Sequence, residues 1–409
     1  MNKILHNYIL KNWSHTIRDP KNIKDSELSF IKIPFTYTTP CADDEFQNFY
    51  YWDTYFTNIG LLEDGFVDVA RSNIKVMKYF VDKLSFVPNA DHLIHGSQPP
   101  FFTRSIYDLY KKTLNKNDIK DFLKYAIKEM SFWECDRMTS CGLNQYKCSY
   151  PNSKCKASYP YFVKRCGGLN KDEKHINKIE FTKGMYAIAE SGWDLNFRYK
   201  RNNLRFDSLS FANLDLNCIL YDAELKISEM AKIINDIKIQ KMFKKKAAER
   251  KKLIDSLMKD NKTGIYYDYC FKDKKLSYFL TAASFYPYAF GISKDKKSAL
   301  QIFNRLNFKC GLSTAEFRKD DVFLQWDYPH MWPPVVYISY VGLKKVGLTK
   351  EADKLKNEYL KTVENCFNKT GKLWEKYNSI SGDVSKTIEY KTPTMMGWTA
   401  GVYEFLINN

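Results

Sequence analysis

Apolar residues recur along this chain at steps of three and four. In "DIKDFLKYAIKEMSFW" the positions Ile119, Phe122, Leu123, Ala126, Ile127, Met130 and Trp133 fall on one stripe at 3.6 residues per turn, and in "LDLNCILYDAELKISEMAKII" Leu216, Ile219, Leu220, Ala223, Ile227, Met230 and Ile234 do the same. "SNIKVMKYFVDKL" and "VVYISYVGLKKVGL" read as further helices, the second closed by Gly347. Period-two alternation is nearly absent; "GIYYDYCF" and "KLSYF" predict one short hairpin around Lys272 to Lys275. The pattern therefore predicts an all-α protein.

Between the helical stretches lie loops dense in Trp, Asp, Pro and Gly: "FYYWDTYF", "FVPNADHLIHGSQPPFF", "ESGWD", "LTAASFYP", "LQWDYPHMWPP" and "LWEKYN". Helices alternating with such loops predict a ring of helix pairs whose loops converge on one face, where function usually sits. No Pro/Gly/Ser-rich linker divides the chain, so residues 1–409 are expected to form a single domain.

Composition changes this picture little. The 409 residues are 44% hydrophobic and 16% aromatic, enough to bury a large core. No apolar run approaches the length of a membrane span or a signal-peptide core, so we expect a soluble, cytoplasmic protein. The net charge of +17 raises nucleic acid as a partner, but lysine is spread along the whole chain. The one dense run, "KIQKMFKKKAAERKK" from Lys238 to Lys252, sits in a helical pattern as a solvated face, and no specific nucleic-acid partner is expected. Of ten cysteines, Cys135, Cys141, Cys148, Cys155 and Cys166 share one segment without a CxxC pair or a histidine at zinc-ligand spacing. No metal or cofactor is expected, and sequence leaves free thiols and a local disulfide both open for that segment.

The loops carry the chemistry. Trp and Tyr beside Asp, Glu, Asn and Gln are what a sugar site needs, since aromatic faces cover pyranose C–H surfaces while polar groups bond the hydroxyls. Glycosidic hydrolysis needs a proton donor and a nucleophile or base, usually two carboxylates. Asp194, beside Trp193 and the small Gly192, has surroundings of the kind expected to desolvate an acid and raise its pKa, set against the plainer reading of "SGWD" as a loop with Asp as a helix N-cap. Glu375 in "LWEKYN" is the second candidate, set against the plainer reading of a surface glutamate paired with its neighbouring lysine, and Glu389 in "IEYKTP" competes for the base role.

In these loops the chain resembles the trehalase family, from about Pro40 to the end of the sequence. "YYWDTYF" (Tyr50 to Phe56) is similar to the family's "YYWDSYF", and Phe86 to Asn89 with Gly96 to Phe102 to its "FIPN" and "RSQPPFF". Ser191 to Tyr199, Leu214 to Tyr221 and Leu280 to Gly291 follow its "SGWDFSSRW", "VDLNALLY" and "LTAASFFPLYFG". Gln325 to Pro334, Glu375 to Asn378, and Glu389, Tyr390 and Trp398 follow its "QWDFPNGWAP", "EKYD" and "EY…W". The resemblance implies an (α/α)6 barrel and an inverting hydrolase of trehalose or a similar small α-glucoside. Asp194 would be its general acid and Glu375 its general base, with the carboxyls roughly 6.5 to 9.5 Å apart to admit water. It further implies sugar contacts at Trp52, Asp53, Asn89, Ser97, Gln98, the backbone of Gly192, Trp326, Asp327, Trp332 and Glu389.

The departures bear on substrate. The family holds its sugar with arginines, and here its "RFRE" reads Glu45, Phe46, Gln47 and Asn48, its "RSQ" arginine reads Gly96, and its "RPES" segment is replaced by the stretch around Cys148 to Cys166. Lys147, Lys154, Arg165 and His95 are the cations within reach of replacing them. Another α-linked disaccharide as substrate, or a catalytically silent sugar-binding protein on the same scaffold, are the alternatives.

Overall fold

The computed structural model describes residues 2–22, 31–43, 45–167, 177–201, 204, 206–319, 324–387, 389–394 and 396–409. Six helices form an inner ring: α2 (Tyr51–Glu63), α4 (Phe102–Thr113), α8 (Leu214–Ile233), the short α10 (Tyr286–Ala289) continuing a 3-10 turn at Ala282–Phe285, α12 (Pro333–Lys345) and α14 (Gly397–Asn408). Each packs on the next in that order, and α14 packs back on α2 to close the ring. Outside them lie α1 (Lys3–Thr16) against α14, α3 (Val67–Leu84) against α2 and α4, and α5 (Lys116–Asp136) against α4 and α8. The outer layer is completed by α9 (Ile237–Leu257) on α8, α11 (Lys296–Leu306) on the 3-10 turn, and α13 (Thr349–Thr370) on α12. This is the expected (α/α)6 architecture.

The two layers differ as their sequences require. Outer helices are one-sided: α3 buries Ala70, Asn73, Ile74, Met77, Phe80 and Val81, one stripe at helical spacing. Inner helices are covered on all sides, so α2 buries every residue from Tyr51 to Leu62 and α12 every residue from Pro333 to Tyr340. Where the ring closes, glycines let two inner helices touch. A Cβ on Gly401 would stand 2.0 Å from the Phe56 carbonyl oxygen, and one on Gly60 would stand 2.5 Å from Gly401 Cα. The basic run forms α9, whose buried residues are Phe243, Ala247, Arg250 and Ile254. The expected hairpin is present, Tyr269–Cys270 pairing with Lys275–Leu276, and a third strand, Phe211–Ala212, adds to it.

A helical pair departs from the ring. α6 (Asn152–Arg165) and α7 (Lys178–Glu190) lie in the long connection from α5 to α8 and pack on each other. Beneath them Phe162, Cys166, Phe181, Met185, Ile188, Leu195, Phe197 and Phe206 form a second apolar cluster, apart from the main core. No disulfide joins any two of the ten cysteines; Cys148 and Cys155 bring their sulfurs to 3.9 Å without a bond.

Candidate active site

Most of the aromatic loops lead into the N-termini of inner helices, while "ESGWD" follows α7 and "LWEKYN" follows α13. "YYWD" is the first turn of α2, "SQPPF" runs into α4, "LTAASF" into α10, "LQWDYPHMW" into α12, and the segment holding Glu389 and Tyr390 into α14.

Asp194 is not a helix N-cap: α7 ends at Glu190 and α8 begins only at Leu214. It stands in a tight turn fixed from several sides. Ser191 donates its hydroxyl to Ile188 O at 2.6 Å and accepts from Trp193 N at 3.1 Å. Gly192 has φ +72°, and a Cβ on it would meet the Trp52 ring at 2.8 Å, so glycine is required both by the backbone and by that close approach. Downstream, Phe197 N donates to Asp327 Oδ2 at 3.0 Å and Trp326 N to Leu195 O at 3.2 Å, which pins this turn to the loop before α12. The Asp194 side chain keeps 29% exposure, and its Oδ2 accepts from Arg165 Nη2 at 2.9 Å.

Glu375 sits in the loop after α13, fully inside the protein. Its carbonyl accepts from Trp398 Nε1 at 2.9 Å, its Oε1 accepts from the Tyr390 hydroxyl at 2.7 Å, and its Oε2 pairs with Lys376. The pairing with a neighbouring lysine read from sequence does exist, but both groups are buried instead of solvated. Lys376 Nζ lies 4.6 Å from the ring centres of both Trp332 and Tyr390, so aromatic faces and one carboxylate enclose its charge. Gln325 Nε2 in turn donates to Tyr390 Oη at 2.5 Å.

Glu389 lies on the acid's side. Its Oε1 pairs with Arg165 Nε, so one guanidinium joins Glu389 to Asp194, while the adjacent Tyr390 serves Glu375. Burial raises the Glu389 carboxyl to about 7, with Arg165 lowering it and the nearby Asp194 charge raising it. Asp53 is raised further, to about 8, by burial first and then by Glu375, with a smaller contribution from Asp194. Asp53 is thus within electrostatic reach of both. For Arg165, burial works against the charge, yet Asp194 and Glu389 outweigh it and the guanidinium is held firmly protonated.

Around these groups stand five buried tryptophans. Trp326 stacks on Trp332 with ring centres 4.0 Å apart and on Trp193 at 5.3 Å, while Trp52 tilts against Trp326 at 40° and Trp398 stands edge-on to Trp52 and Trp332. Trp193 Nε1, Gln325 Oε1 and Glu389 Oε2 are buried without a hydrogen-bond partner among the described residues. Buried polar atoms left so are costly, and sugar hydroxyls are the kind of partner that would satisfy them.

The remaining expected contacts hold backbone. Gln98 Oε1 accepts from Trp52 N at 3.1 Å, the Ser97 hydroxyl donates to Val87 O at 2.7 Å, and Asn89 Nδ2 donates to Ala189 O at 3.2 Å. Trp332 Nε1 donates to Gln325 O at 2.9 Å. Sequence reasoning missed Glu190, whose carboxylate accepts from Arg137 Nε and Nη2, Ser97 N and Lys147 N at 2.7 to 2.9 Å, tying the "GSQ" loop to the Asp194 turn. Its place directly before "SGWD" was the available signal. Of the four cations weighed as replacements, Arg165 reaches the acid; His95 packs on the Tyr150 ring at 4.8 Å and Lys147 contributes its backbone N–H.

With this geometry in hand, comparisons place the chain among known proteins. The family described as Trehalase matches residues 2–409. The periplasmic trehalase of Salmonella paratyphi C is 27% identical over 409 residues, covering 95% of this chain and 70% of that protein. Among solved structures, the neutral trehalase Nth1 of Saccharomyces cerevisiae superposes with a TM-score of 0.75 at 23% identity, covering 91% of this chain and 73% of that one. A GH63 mannosylglycerate hydrolase from Thermus thermophilus, in complex with glucose, shares the fold at a TM-score of 0.69 and 12% identity, covering 99% and 100%.

Proposed function

The chain belongs to the trehalase family and is a glycoside hydrolase, and on that premise we propose that it cleaves trehalose, or a similar small α-glucoside, with inversion at the anomeric carbon. Asp194 gives its proton to the departing glycosidic oxygen, and Glu375 takes a proton from the water that attacks C1 from the opposite face. No metal or cofactor enters the scheme. The observation that carries it is the connected set Asp194, Arg165, Glu389, Tyr390 and Glu375: two carboxylates from separate loops are linked through one guanidinium and two consecutive residues. The tryptophan cluster supplies apolar faces beside them, and Asp53, held protonated up to about pH 8, limits the negative charge gathered at the site.

A different α-disaccharide as substrate is the second reading, favoured by the missing arginines. Gln47 accepts from Arg18 and donates to backbone carbonyls, and a side chain at Gly96 would begin 3.7 Å from Glu190 Oε1, an acceptor that Arg137 already serves. A panel of glucose disaccharides, with product anomers followed by NMR, decides both points. β-Glucose released from trehalose supports inversion and substrate together; turnover of another α-disaccharide keeps the mechanism and replaces the substrate; inactivity on the whole panel favours a silent binder.

The proposal includes a single domain and a cytoplasmic setting. Ten cysteines without a disulfide suit a reducing compartment, and no described helix is long and apolar enough to cross a membrane. Fractionation of cells producing the protein tests the location.

A further inference from the structure

Arg165 is the last residue of α6, and its side chain is 17% exposed between two carboxylates. Nη2 donates to Asp194 and Nε to Glu389; among the described residues it makes no other hydrogen bond. A guanidinium offers five N–H donors in one plane, so three remain for a ligand. Its position is built: α6 buries Cys155 and Phe162, Phe162 packs edge-on to Tyr186 at 4.9 Å, and the Tyr186 hydroxyl donates to Ser158 Oγ at 2.8 Å. Arg165 touches Asp194 and makes no contact with Glu375, whose oxygens are taken by Tyr390 and Lys376. Under the proposed function, on which this inference rests, the acid lies against the glycosidic oxygen. A group that pairs with the acid and forms no hydrogen bond or ion pair with the base therefore stands on the side of the leaving sugar.

We propose that Arg165 holds the leaving sugar against Asp194 and thereby decides which glycosides the enzyme accepts. Its open N–H bonds suit the neighbouring hydroxyl oxygens of a neutral sugar. A leaving group that carries a carboxylate would instead meet Asp194 and Glu389, already seated on this guanidinium. The cation comes from the helix that replaces the "RPES" stretch, while no arginine stands at Gln47 or Gly96.

The test compares two substrates in the full-length protein: trehalose, or whichever disaccharide of the panel is turned over, and phenyl α-glucoside, whose leaving group has no sugar hydroxyls but still takes its proton from Asp194. Arg165→Met is expected to lower kcat/KM on the disaccharide by about a hundredfold, the loss of charge-assisted bonds to a substrate hydroxyl, and on the phenyl glucoside by no more than about tenfold, the loss of the ion pair to the acid alone. Arg165→Lys restores a minor part, because an ammonium lacks the planar fork. Equal losses on both substrates, or none on either, would overturn the proposal by reducing Arg165 to a structural ion pair. Should the methionine variant lose the wild-type Tm, Arg165→Gln, shorter than arginine but still carrying an N–H donor, gives the same selective loss. A wild-type protein inert to both substrates would instead remove the functional reading and this proposal with it.

Discussion

Tyr390 donates its hydroxyl hydrogen to Glu375 Oε1 at 2.7 Å, and the residue before it, Glu389, pairs with the arginine that holds Asp194. Two consecutive residues thus address the two halves of the proposed reaction, so small changes in this segment are expected to affect both.

Tyr390→Phe removes the bond to the base and leaves Gln325 Nε2 without its acceptor. We expect kcat to fall about ten- to a hundredfold with KM little changed, the effect of one lost hydrogen bond to a charged group. Steady-state kinetics on the active disaccharide check this; wild-type kcat would mean that Tyr390 only supports Lys376.

Asp194→Asn and Glu375→Gln should each lower disaccharide turnover by at least about a thousandfold. Their stabilities should differ. Asp194 is partly exposed, and its loss leaves Tm near wild type, whereas Glu375→Gln strands the buried Lys376 charge and lowers Tm clearly. Calorimetry beside the kinetics separates the two effects, and either variant at wild-type rate would refute its assigned role.

Gly192→Ala should lower both stability and activity. It places a Cβ 2.8 Å from the Trp52 ring at a backbone φ of +72°. The combined strain and displacement are expected to cost about 1–3 kcal/mol, read as a lower denaturation midpoint, and to move the Asp194 turn enough to reduce kcat/KM. An unchanged midpoint would show that Trp52 gives way freely.

The protein should be less stable at alkaline than at mildly acidic pH. Glu129, buried with one oxygen accepting from Tyr51 at 2.8 Å, is raised by burial to about 8, and Glu404 to about 9 by burial and then by Asp64. An acid whose folded pKa lies above its unfolded value binds more protons when folded. Its stabilising contribution is therefore full below about pH 4.5 and lost as pH rises towards 8 or 9. Tm should fall across pH 5 to 9, and Glu129→Gln should flatten the slope; a variant with the wild-type slope would exonerate Glu129.

The fold was legible in the sequence because each helical stretch carries its own periodic stripe, and the inner helices are announced by the loops that start them. Asp194 and Glu375 stood out as candidates because they are carboxylates beside tryptophan in the aromatic loops. Which of the candidate cations pairs with Asp194 did not. α6 buries few apolar side chains, and only its packing on α7 shows which of several nearby cations meets the acid. Glu190 escaped notice because its four donors come from Ser97, Arg137 and Lys147, which no local pattern brings together. Arg198, buried between Asp215 and Asp268 with its guanidinium 4.9 Å from the Trp193 ring centre, was hidden likewise.

The glycine contact between α2 and α14 sets an order of events during synthesis. Gly60 and Gly401 meet although more than three hundred residues separate them in the chain, and Trp398, at the start of α14, holds the Glu375 carbonyl. Loop closure over that distance is slow and comes late. A ribosome-bound chain that has not yet released α14 would carry its acid turn, its aromatic loops and even Glu375, but on an open horseshoe with α2 uncovered. Catalysis should therefore switch on only when α14 docks, and until then the exposed apolar face of α2 is what chaperones would be expected to cover.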